Sequence, residues 1–97
     1  MIMTDYASVV IEKDAFPSLQ ESIEIGKKVL ERKLAVFENK IAKFENSRKM
    51  DTKTFNLLFN KGKLGDSKEW IEWDHLASVV NLLNKKLHDL EKLRYEA

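Results

Sequence analysis

The sequence predicts an all-α fold: a long antiparallel helical hairpin with a short intervening helix, preceded by one N-terminal β-strand. Three observations lead there. Leu76, Leu83 and Leu90 sit seven residues apart, and Trp73, Val80 and Leu87 form a second seven-spaced row beside them. This alternating three-four spacing brings one narrow stripe of a helix onto a partner helix. Ile23, Leu30, Phe37 and Phe44 repeat the interval earlier in the chain, with Leu34 and Ile41 in the neighbouring row. Finally, one Pro and three Gly among 97 residues, with 34% charged and 43% hydrophobic, describe a folded chain rich in helix formers rather than a disordered one.

Taken in order, Tyr6-Ala-Ser-Val-Val-Ile-Glu12 is short and rich in β-branched residues, so a strand is expected over about 6–12. Ala7, Val9 and Ile11 would share one of its faces. A lone strand needs partners for its backbone groups, so it must pair with a second subunit or another protein, or stay loosely ordered until it does. Pro17 suits the first turn of a helix expected over about 17–46, on the order of 40 Å long. Gly26 inside it is either a weak point in propensity or a place where another backbone comes close.

Asp51 is a good N-cap for a short helix over about 51–60, and Met50 with Phe55 has the spacing of a hydrophobic staple. Phe55, Leu58 and Phe59 make the apolar face of that helix, and Gly62 is its left-handed stop. Asp66 followed by Glu69 fits a capping box opening a last helix over about 67–95. No repeat or linker divides the chain, so residues 1–97 are read as one helical interaction domain.

No cysteine is present, which excludes disulfides, thiolate catalysis and cysteine-ligated metals. The first residues carry no basic n-region, and no run approaches the roughly 20 apolar residues of a membrane span, so a cytoplasmic protein without membrane contact is expected. The net charge of +1 is unevenly spread: Lys27, Lys28, Arg32, Lys33, Lys40, Lys43, Arg48 and Lys49 face only Glu31, Glu38 and Glu45, a local balance of +5. These eight residues are the candidates for a nucleic-acid contact. The interleaved glutamates, themselves seven apart, favour a solvated face laced with ion pairs.

Catalytic chemistry finds little footing. Glu72 and His75 have the Glu-x-x-His spacing of helical di-iron sites, but only one such pair exists, and a surface ion pair is the simpler reading. Glu21 with Glu24, and Glu69 with Glu72, pair carboxylates as magnesium-dependent all-α phosphohydrolases do, but no third cluster follows. No phosphate-cradling glycine loop or strained nucleophile turn occurs. The expectation is a chain that is not an enzyme, with no catalytic, cofactor-binding or metal-binding residues; a metal-dependent hydrolase ranks third.

Apolar residues exceed what one antiparallel neighbour covers. Val79, Leu82 and Leu93 widen the stripe of the last helix, and Trp70 and Ile71 flank it near the turn. With Val9 and Ile11 of the strand, these are the candidate partner-interface residues, and homodimerisation is the first expectation for so thin a core.

From Leu34 onward the order of features is distinctive: Phe37-Glu38, Phe44-Glu45, Met50-Asp51 with Phe55, Gly62-Lys-Leu-Gly-Asp66, then Trp70 and Trp73. This order resembles small archaeal and bacterial antitoxin-like helical proteins, encoded beside a toxin-like partner, and the likeness covers about 60% of the chain. One departure is clear: where that pattern has Tyr-Gly-Met before the short helix, this chain has Arg48-Lys-Met50. The resemblance implies a helical module that neutralises a cognate toxin-like protein by occupying its surface. The alternative is a regulator that binds nucleic acid through the basic Lys27–Lys49 face.

Overall fold

In a computed structural model, residues 5–96 are described. They form a 3-10 turn, Lys13–Ala15, and three helices: α1 (Phe16–Arg48), α2 (Thr52–Asn60) and α3 (Lys68–Glu91). The expected strand over 6–12 is not there. Residues 5–12 carry no regular secondary structure and are exposed throughout. The physical reason is the one that makes single strands rare: a β-branched run fits a pleated surface only when a neighbour supplies the hydrogen bonds.

The helices begin and end where local chemistry directs. Pro17 lies in the first turn of α1, where its missing N–H has no partner to lose. α1 ends with Lys49 in the left-handed region at φ 51°, and the Met50 N–H reaches back to the Glu45 carbonyl at 3.2 Å. Asp51 then caps α2, accepting from the Thr54 N–H at 2.7 Å. α2 ends in a Schellman turn: Gly62 sits at φ 71°, its N–H bonds the Phe59 carbonyl, and the Lys63 N–H bonds the Leu58 carbonyl, both at 3.0 Å. The α3 cap is Ser67, which accepts from the Trp70 N–H at 3.5 Å, rather than Asp66. Glu69 is thereby free of a capping box and points at α1. α3 stops at Glu91, four residues short of the expected end, as the Lys92 and Leu93 N–H groups tighten to 3-10-type bonds.

α1 and α3 run antiparallel. The start of α1 meets the chain just past α3, with Phe16 edge-on to Tyr95 at 5.1 Å, while Phe44 near its end stacks on Trp73 at 5.7 Å. α2 closes this second end. Phe55 and Trp73 are fully buried and lie parallel at 4.1 Å, with Ile41 and Leu76 completing the cluster. Phe44, Met50, Phe59, Leu64 and Trp70 pack around it. Ala77 and Leu83 are buried further along α3. The remainder of the hairpin is two helices wide, giving extents of 55 × 34 × 18 Å. The radius of gyration is 18.7 Å, against about 13 Å for a compact chain of this length.

Candidate partner-binding surface

The closed end of the hairpin is tied by polar groups reaching between helices. The Trp73 indole N–H donates to the Thr52 hydroxyl at 3.1 Å, and that hydroxyl donates to the Glu45 carboxylate at 3.0 Å. The same carboxylate oxygen accepts the Thr52 N–H at 2.8 Å, satisfying a donor that the first turn of α2 leaves without an intrahelical partner. One residue from each helix thus joins a single chain of hydrogen bonds. Beside it, the Arg48 guanidinium forks onto the Glu69 carboxylate, with Nε to Oε1 at 2.9 Å and Nη2 on Oε2, and lies 4.9 Å from the centre of the Trp70 ring. The hydrogen bond from Arg48 holds Glu69 below the usual carboxylate range, and the same bond raises Arg48.

These contacts settle where several candidate residues lie. Trp70 is half-buried, stacked against Phe55 at 5.9 Å and covered by Arg48. Val79 is also half-buried. Ile71, Leu82 and Leu93 are exposed on or just beyond α3, with about half of Leu82 (51%) open to solvent. Val9 and Ile11 are exposed in the irregular N-terminal segment, next to Val10 at 97%. That segment touches the chain just past α3, where the Arg94 guanidinium lies 5.0 Å from the Tyr6 ring centre.

The basic candidates divide. Arg48 is committed to Glu69, and Lys27, half-buried, pairs with Glu24 at 3.4 Å. Lys40 lies 5.6 Å from the Phe37 ring centre. Lys28, Arg32, Lys33, Lys40, Lys43 and Lys49 are exposed. Ile25, Val29 and Val36 emerge among them on α1, also exposed.

Glu72 and His75 are both exposed on α3. Among the described residues, no group of three or more acidic, histidine or cysteine side chains is placed to hold a metal ion. Nor is any helix there long and apolar enough to cross a membrane. Two shallow hollows flank the α1–α3 seam. One, of about 230 Å³, includes Thr52 and Asn56 of α2 in its lining; the other, of about 390 Å³, is lined by Lys40, Lys43, Phe44, Ser47, Glu69 and Glu72, with nothing from α2. So at the closed end of the hairpin α2 lies over one side of the helical layer and leaves the other side open.

The Glu45–Thr52–Trp73 chain and the Arg48–Glu69 fork were not foreseen from the sequence. Both join residues 21 apart, or pass through one seven apart across a corner, and neither follows from a local period. No protein-family model matches the chain, and comparison with curated proteins and with solved structures finds no match.

Proposed function

We propose that this chain is a non-enzymatic, cytoplasmic protein-binding module of antitoxin-like type, which works by laying its open helical surface on another protein chain. One observation carries the reading. The accessible surface is 8168 Å², whereas a compact monomer of 11.3 kDa exposes about 5,700 Å². That surplus is studded with large apolar side chains on both long helices and on the N-terminal segment: Ile25, Val36, Ile71 and Leu82 are about half exposed, and Val9 and Val10 more so. Surface of this kind on a small chain is characteristic of association sites. Residues 6–12, extended in composition and free of regular structure, suit addition to a partner's sheet edge. The resemblance to antitoxin-like proteins points to a toxin-like partner encoded next to this chain.

Co-expression with the product of the adjacent gene, followed by size-exclusion chromatography, tests the reading. A single co-eluting peak is expected. Two independent peaks, each at the position of the protein run alone, would contradict it.

A second reading has one observation in its favour: Lys28, Arg32, Lys33, Lys40 and Lys43 are all exposed on α1. A nucleic-acid interface there would bind less tightly as salt rises, with a slope set by the number of phosphates neutralised. The exposed Val29 and Val36 between those cations offer phosphates nothing, which is why a protein partner ranks first. Negligible retention of duplex or single-stranded DNA and RNA at low salt would remove the second reading.

A further inference from the structure

We propose that a second copy of this chain covers the side of the α1–α3 layer opposite α2, with the two chains approaching most closely at Gly26. The inference rests on the protein-binding reading above and names the occupant of one face.

Gly26 is the starting point. It lies well inside the 33-residue α1, where glycine is the poorest helix former after proline. A Cβ built there would meet nothing within 4 Å, so no neighbour in its own chain requires glycine. The position is nevertheless half-buried, on the flank of the seam rather than out in solvent. A helix-interior glycine without an internal reason is what close approach by another backbone would select.

Helical geometry places Gly26 at the edge of the face that α1 turns toward α3, on the flank leading to the open side. Lys33 and Lys40 follow it at seven-residue steps, and Phe44 lies five whole turns on. Lys40 and Phe44 line the hollow that α2 does not reach. On α3, Glu72 lines that hollow too, and Val79 and Lys86 follow it at seven-residue steps. Leu82, half exposed, stands one turn from Val79. Thus Gly26 and Val29 on one helix, and Val79 and Leu82 on the other, edge the same uncovered face.

Area, charge and length select a second copy as the occupant. The chain exposes roughly 2,400 Å² more than a compact protein of its mass, and a stable dimer needs only about 800 Å² from each partner. The face carries both signs, Glu72 among Lys33, Lys40 and Lys86, so two copies can set acid against base. A net charge of +1 adds little repulsion at long range. A second hairpin also matches the 55 Å length of the first end to end, giving a pair of helical layers with an α2 on each outer side.

Sedimentation equilibrium on the full chain tests this, with the variants Gly26→Leu, Gly26→Ala, Leu82→Lys and Asn81→Lys measured beside the wild type. Asn81 lines the hollow on the α2 side and serves as the control. The expected result is a wild-type dimer whose dissociation constant rises at least tenfold in Gly26→Leu and Leu82→Lys and less in Gly26→Ala. Asn81→Lys should leave it unchanged, and all four should keep the wild-type helical circular dichroism. A monomer at every concentration overturns the proposal, as does a dimer that Gly26→Leu and Leu82→Lys leave intact. A monomer that still co-elutes with the adjacent gene's product overturns this proposal alone and leaves the protein-binding reading standing.

Discussion

The indole N–H of Trp73 donates to the hydroxyl of Thr52 at 3.1 Å, joining the start of α3 to the start of α2. Because the Thr52 hydroxyl in turn donates a hydrogen bond to the Glu45 carboxylate of α1, the corner where the three helices meet is fixed by polar groups as well as by stacked rings. Trp73 is fully buried, so its N–H has no water to turn to if the hydroxyl is lost. Thr52→Val keeps the shape and removes both roles. The expected loss is about 1–3 kcal/mol, the cost of leaving a buried donor unpaired. Thr52→Ser should retain most of the wild-type stability. Urea denaturation followed by tryptophan fluorescence measures both variants.

Phe55 is the other fully buried ring of that corner, parallel to Trp73 at 4.1 Å. Phe55→Ala should cost about 3–5 kcal/mol, a large part of the roughly 5–15 kcal/mol that holds a small domain together. Thermal denaturation by circular dichroism should show a broad, early transition, with Phe55→Leu in between. A melting curve indistinguishable from wild type would show that the rings do not hold α2 in place.

Lys49 occupies a left-handed position, φ 51°, at the end of α1. Glycine adopts that conformation without steric cost. Lys49→Gly should therefore raise stability by about 1 kcal/mol. The urea midpoint should move up with no change in slope.

Acid should loosen the fold in a defined window. The Thr54 backbone N–H lowers Asp51, the Arg48 hydrogen bond lowers Glu69, and the Lys85 hydrogen bond lowers Asp89. Each carboxylate is thus more acidic folded than unfolded. Its contribution is fully present above the unfolded carboxylate pKa of about 4 and is lost as pH falls through the lower folded value. Melting temperature should be level from neutral pH down to about pH 5 and drop below pH 4. Asp51→Asn and Glu69→Gln together should flatten that drop; an unchanged acid profile in the double variant would rule these two groups out as its cause.

Much of the architecture was legible in the sequence because it is written in local periods. The seven-spaced rows through Phe37 and Phe44, and through Leu76 and Leu83, mark the faces that α1 and α3 turn toward each other. Asp51 and Gly62 mark the ends of α2, and both act as their residue types suggest. What was not legible depends on partners distant in sequence. Arg48 finds Glu69 across the corner, and Glu45 serves α2 from α1. Adjacent Asp66 and Ser67 both suit a cap, and only the path of the turn chooses Ser67. Residues 6–12 have the composition of a strand, but pairing is a property of two segments, and among the described residues the chain supplies only one.

That segment yields a further expectation. Removing residues 1–12 should leave the melting temperature within a few degrees of wild type, since residues 5–12 are exposed and lie outside the buried cluster. Capture of the adjacent gene's product should fall sharply, because strand addition to a sheet edge would be lost. Undiminished capture by the shortened chain would place the partner on the helices alone.

The most direct test is the molar mass of the full chain in solution, measured by light scattering alone and after mixing with the adjacent gene's product. The account predicts a particle heavier than the 11.3 kDa chain in at least one of the two samples. A particle of single-chain mass in both, across the accessible concentration range, would contradict it.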